Sequence, residues 1–225
     1  MRERSQKKLL AALCAAFLLS GCKLFQETPM EKLQKAVNND TAATVKELIA
    51  GGFSPDERTR SGLTPLMMAT TKNATDIMQI LLQHHADVNA RDRQGRTALH
   101  LAARWSKPAT VKMLLDHRAD TEARDYLSWT PLMWAALQGR TEIVRTLVDG
   151  GASPLEYDGD GNSPLILAAW RGHKDTVELL ISMDCDPAYR NSHGLDAADV
   201  ARQNGFPDLA KYLDSLPRPA QTRKK

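Results

Sequence analysis

Aromatic residues make up only 5% of this 225-residue chain, which excludes a single broad core built around large rings. Small aliphatic side chains must carry the packing, and that suits short helices held close together. Cysteine is scarce as well, with three in the whole chain, too few for a disulfide framework. The sequence has no His-Glu-x-x-His spacing, no cysteine cluster and no glycine-rich phosphate loop. Those absences remove the usual signatures of a metal hydrolase and of a nucleotide-binding enzyme. Long apolar runs are missing too. The longest, Leu9 to Leu19, is about half of the roughly 20 residues a helix needs to cross a bilayer.

Excess charge is also lacking once its location is considered. The net charge of +3 and the isoelectric point near 8.8 would suit a nucleic-acid partner if the charges formed one patch. Removing Arg2, Arg4, Lys7 and Lys8 from the 30 basic residues, and Glu3 from the 27 acidic ones, leaves 26 of each from Cys22 onward. The basicity belongs to the leader, and no nucleic-acid partner is expected. A second basic cluster, Arg218, Arg223, Lys224 and Lys225, is thinned by Pro219 and Thr222. It reads as a frayed end, with attraction to anionic lipid headgroups as its alternative.

The first residues have the layout of an export signal: a basic stretch through Lys8, an apolar run, then small residues. Leu19-Ser20-Gly21-Cys22 resembles the lipobox of bacterial lipoproteins, which implies diacylglycerol on the Cys22 thiol and cleavage just before it. Lys23 stands where Gram-negative lipoproteins retained in the inner membrane carry Asp, so the resemblance implies an outer-membrane anchor facing the periplasm. Residues 1–21 are then signal peptide and 22–29 a lipidated linker. At ~3.3 Å per extended residue that linker keeps the folded body within a few nanometres of the bilayer. Beyond this covalent lipid no cofactor and no metal are expected. Cys14 leaves with the leader, so Cys185 has no intrachain partner and reads as inert packing.

What the sequence does contain is a repeat. Thr64-Pro65-Leu66, Thr97-Ala98-Leu99, Thr130-Pro131-Leu132 and Ser163-Pro164-Leu165 recur every 33 residues, followed by Ala69, Ala102, Ala135 and Ala168. Thr or Ser supplies an N-cap oxygen, and Pro suits the first helical position, where no amide donor is needed. Gly139, Gly172 and Gly205, with Asn73 in their place one unit earlier, supply a residue tolerant of positive φ at the helix end. Ser106 departs from this rule. Gly62, Gly95, Gly161 and Gly194 mark the turns between units.

These motifs, with Ala86-Asp87-Val88-Asn89-Ala90 and Thr97-Ala98-Leu99-His100-Leu101-Ala102-Ala103, closely resemble the ankyrin family over about residues 30–215. The resemblance implies an all-α repeat fold, a solenoid of helix-turn-helix units joined by β-hairpin loops. The units are a degenerate N-terminal cap at 30–58, repeats at 59–91, 92–124, 125–157 and 158–190, a C-terminal cap at 191–216 and the basic tail 217–225. It also implies a concave face made from first helices and hairpin tips.

Helical spacing picks out the residues of that face. First helices supply Leu101, Arg104 and Trp105, then Trp134, Leu137 and Gln138, then Leu167, Trp170 and Arg171; hairpin tips add Arg93, Arg96, Tyr126, Leu127, Trp129 and Asn162. Trp, Tyr and Arg are the residue types that carry most binding energy at protein interfaces, so a protein partner is expected here. Trp134 and Trp170 have a second reading, as seals between repeats. His100 reads as a structural hydrogen-bonding residue, and Ser163 and Asp160 as cap and turn, so no catalytic set emerges. The expectation is a monomeric, non-enzymatic protein-binding lipoprotein of the bacterial envelope. It would sequester or neutralise a partner such as a toxin, support a periplasmic enzyme such as a catalase, or act as a structural spacer.

Overall fold

The structure, a computed structural model, describes residues 27–217. The signal region 1–21, Cys22, positions 23–26 of the linker and residues 218–225 of the tail lie outside the described residues. Within them are twelve helices and no strand. The first helices of successive units are α1 (Pro29–Asn38), α3 (Pro65–Lys72), α5 (Ala98–Trp105), α7 (Pro131–Leu137), α9 (Pro164–Trp170) and α11 (Ala197–Gln203). The second helices are α2 (Ala42–Ala50), α4 (Thr75–Gln83), α6 (Pro108–Asp116), α8 (Thr141–Asp149), α10 (Lys174–Ser182) and α12 (Pro207–Asp214). First helices pack one on the next from α1 through α11 and form one layer, while second helices form the other, with α2 against α4 and α8 against α6 and α10. None of these helices is long and apolar enough to cross a membrane.

Local chemistry sets each start and stop. The Thr64, Thr130 and Ser163 hydroxyls accept from the amides of Met67, Met133 and Ile166 at 3.3, 3.4 and 3.3 Å, and Asp196 caps α11 through Asp199 N–H at 2.9 Å. Where first helices end, Asn73, Gly139 and Gly172 adopt φ of 54°, 65° and 71°. At Gly139 and Gly172 a Cβ would also strike the neighbouring repeat, 2.4 Å from the His173 ring and 2.4 Å from that of Phe206. Close stacking and the αL turn therefore demand glycine together.

Ser106 takes another route. Its backbone is extended, with φ −98°, and neighbours on both sides satisfy the freed groups. Ser106 Oγ donates to Thr70 O at 2.8 Å, Lys107 N–H to Asn73 Oδ1 at 2.8 Å, and Arg140 Nη2 to Ser106 O at 2.5 Å. The loops between units are tight hairpin turns, with no strand among the described residues. Each closes on two backbone bonds, as in Asp92 N–H to Arg96 O at 2.9 Å and Gly95 N–H to Asp92 O at 3.0 Å. Two bonds make a turn and leave no room for a strand ladder.

His100 joins repeats through its ring. Thr97 N–H donates to Nδ1 at 3.1 Å, which leaves the ring proton on Nε2, and Nε2 lies 3.0 Å from the Trp129 carbonyl in the next unit. The ring is buried, and burial lowers its pKa against the opposing pull of the Trp129 carbonyl and Asp125. A lowered pKa means that the folded state resists the proton. The site is fully stabilising above the ordinary value of 6.5, and stability is lost as pH falls below it, because the unfolded chain takes up the proton first. Between about pH 7.5 and about pH 5.5 the melting temperature should fall, and the fall should be smaller in His100→Gln, read by circular dichroism.

A candidate protein-docking face

The residues picked out by helical spacing separate into two groups. Trp134 is 8% exposed, and Leu101, Leu137 and Leu167 are also buried, so the expectation that Trp134 and Leu137 lie open on the face is corrected. The reason is geometric. A first helix inside the stack is covered by a first helix on each side and by its own second helix, and all seven residues of α7 are buried. In α5 and α9 the side chains that reach water are in the last turn, at Trp105 (54% exposed) and Trp170 (42%). Arg171 is exposed beside Trp170, and Arg93, Tyr126 and Leu127 are exposed on the tips.

The buried Trp134 ring and the half-buried Trp129 ring are fixed by hydrogen bonds. Trp134 Nε1 donates to Asp125 Oδ2 at 2.9 Å and Trp129 Nε1 to Asp158 Oδ2 at 3.0 Å. The two rings meet edge to face, with centroids 4.8 Å apart. Both tryptophans are thus committed to packing. Arg96 is committed too, through paired bonds to buried Asp92 at 2.9 and 2.7 Å. Arg104 differs from all of these. Its guanidinium carbon lies 4.5 Å from the centre of the Trp105 ring and 4.3 Å from that of Trp134. Its Nε is buried without a hydrogen-bond partner. Burial first, and then the Arg96 charge, lowers its pKa. Stacking between two aromatic faces holds the guanidinium plane in place. The face therefore combines Trp105, Trp170, Tyr126 and Leu127 with Arg93, Arg104 and Arg171, and no Asp or Glu pairs with those three cations among the described residues.

Spacing on a single helix does not find the side chains that tie repeat to repeat, although the 33-residue interval does. Arg58, Arg91 and Arg124 each donate to a carbonyl four residues on and to another 33 residues on; Arg91, for example, reaches Gly95 O at 3.1 Å and Arg124 O at 2.5 Å. Asp56, Asn89 and Glu122 each accept the amide of the residue 31 positions later, at 2.9, 2.8 and 2.9 Å. Tip aspartates form a third series. Asp92, Asp125 and Asp158 use Oδ1 to accept the amides two and four residues ahead. Cys185 is buried with Sγ 3.4 Å from Pro154 O, and burial pushes its thiol up to about 12, a chemically quiet side chain.

A family model described as Ankyrin repeats (3 copies) matches residues 33–125 and 121–191. The chain belongs to the ankyrin-repeat family. No curated protein matches it. Membership makes this ankyrin stack a protein-interaction scaffold, and its committed and uncommitted aromatics separate architecture from the surface open to a partner. Trp134→Ala should destabilise the ankyrin fold by about 3–5 kcal/mol, since it empties a core site and leaves Asp125 short of a donor. Trp170→Ala should cost less than about 1 kcal/mol. Urea denaturation of the two variants checks the contrast.

Proposed function

We propose that this ankyrin stack is a lipid-anchored scaffold of the bacterial envelope that captures one specific protein and sequesters or neutralises it, as an immunity protein does a toxin. The reading rests above all on the exposed aromatics Trp105, Tyr126 and Trp170 beside Arg93, Arg104 and Arg171, cations that pair with no carboxylate among the described residues. Large rings left in water next to unpaired guanidiniums are the composition of an interface centre, where a few anchors carry most of the energy. The anchor rests on the lipobox-like Leu19-Ser20-Gly21-Cys22. Two or more acyl chains hold a protein at a membrane where a single chain holds only marginally. Capture close to the bilayer would intercept a protein on entering the periplasm.

Two experiments address the two halves. Cys22→Ala should abolish incorporation of a palmitate analogue and move the protein from the membrane to the soluble fraction; unchanged membrane association would refute the anchor. Residues 23–225, immobilised, should retain a stoichiometric, salt-resistant protein from envelope extract. The double variant Trp105→Ala, Trp170→Ala should weaken that capture by at least about tenfold, the effect of truncating one interface anchor, with little change in melting temperature. Equal retention by the variant would move the interface elsewhere.

A further inference from the structure

Two series of ties between repeats are interrupted at one junction, which other polar contacts still cross, among them Thr141 with Thr176 and the His173 ring with the Leu137 carbonyl. The arginine of the first series recurs at 58, 91, 124 and 190, but position 157 is tyrosine. The acceptor of the second series recurs at 56, 89 and 122, but position 155 is leucine. Two polar rungs that the stack builds elsewhere are missing between the unit that ends at Tyr157 and the one that begins at Asp158. In their place stand apolar surfaces in water: Leu155 is 50% exposed and Tyr157 40%. Tyr157 stacks on Tyr189 of the next unit, with centroids 4.4 Å apart and planes 25° from parallel, so the patch spans the junction and has a fixed shape.

Its surroundings are acidic. Burial first, then Tyr189, Cys185, Asp186 and Glu156, raise the Tyr157 pKa, so two carboxylates lie near the phenol. Glu156 is shared with Arg124 at 2.5 Å, whereas no Lys or Arg among the described residues pairs with Asp184 or Asp186. Between Asp149 and Asp186 the chain carries eight Asp and Glu against two Lys and Arg, a net charge of −6. An exposed leucine and a tyrosine pair within such a field fit a ligand with apolar anchors and positive flanks.

We propose that Leu155, Tyr157 and Tyr189, with Asp186 beside them, form a second docking surface, which receives a basic protein segment carrying an aliphatic or aromatic anchor. The surface is independent of the Trp and Arg face and stands or falls without it. Charge decides between occupants, because an acidic or neutral segment would meet the uncompensated carboxylates as well as the apolar patch.

Restoring the rungs supplies the test. Leu155→Asn with Tyr157→Arg returns the residue types found at Asn89 and Arg124, so this variant should fold at least as well as the parent and melt about 2–4 °C higher if the two bonds re-form. A display library of random dodecapeptides is panned against the full chain and against this variant. The expected result is a set of peptides rich in Lys and Arg around one or two apolar residues. Their affinity should drop at least tenfold on the repaired variant and should weaken in salt. Peptides that bind both proteins equally, or a set that is acidic or neutral, would overturn the proposal. So would no recovered peptide at all from a parent confirmed as folded. Sedimentation of the parent alone covers the remaining occupant: salt-sensitive self-association absent from the repaired variant would assign the patch to a second copy and overturn the foreign segment.

Discussion

A unit of two helices, each seven to ten residues long, cannot hold itself together in water. Helices so short are unstable alone, and one repeat leaves an apolar face uncovered. Burial by the neighbour is therefore the condition on which everything else here rests. α7 meets it fully, with every residue out of solvent. The demand extends to polar groups. A chain folded into turns and short helices leaves many amides and carbonyls without local partners, and these find them one unit away, through Arg91, Arg124, Asn89 and His100.

Much of this was legible in the sequence because its causes are local. A threonine or serine cap followed by proline dictates a helix start wherever it occurs, and Asn73 replaces glycine at an αL turn for a reason visible in one residue. Even the exception at Ser106 could be located, though not its repair, since Thr70 and Arg140 lie more than 30 residues away on either side. The binding face was legible only in part. Spacing by three and four says which residues share a side of a helix, and nothing about how many sides the stack covers. Trp134 and Trp170 looked equivalent on that basis. They differ because Trp134 Nε1 finds Asp125 across the preceding turn, while Trp170 sits at the end of its helix, where cover runs out. The rungs at 58, 91 and 124 were readable from the same 33-residue interval that revealed the repeat, as was their interruption at 155 and 157.

The near-neutral total hides a separation of charge along the stack. Residues 58–118 carry ten Lys and Arg against four Asp and Glu, a net +6, while residues 149–186 carry −6. Trp105 and Arg104 lie in the first stretch, Leu155 and Tyr157 in the second. The Trp and Arg face starts in the basic stretch and reaches the acidic one at Trp170 and Arg171, whereas Leu155 and Tyr157 lie wholly within the acidic one. Arg104 shows how the basic stretch is prepared: its guanidinium is held between two rings without an acid to quench it, so less side-chain freedom remains to be lost on contact.

The substitution of tyrosine for arginine at position 157 also bears on how the stack comes apart. Up to that point each guanidinium clasps the backbone of the following unit, so one repeat can open only by breaking a bond that its neighbour also depends on. Across the Tyr157 junction the clasp is a ring stack, and α9 still packs on α7. The solenoid thus has a seam. Under pulling or heating, the units beyond Tyr157 would peel away as a block while the arginine-clasped part stayed wound.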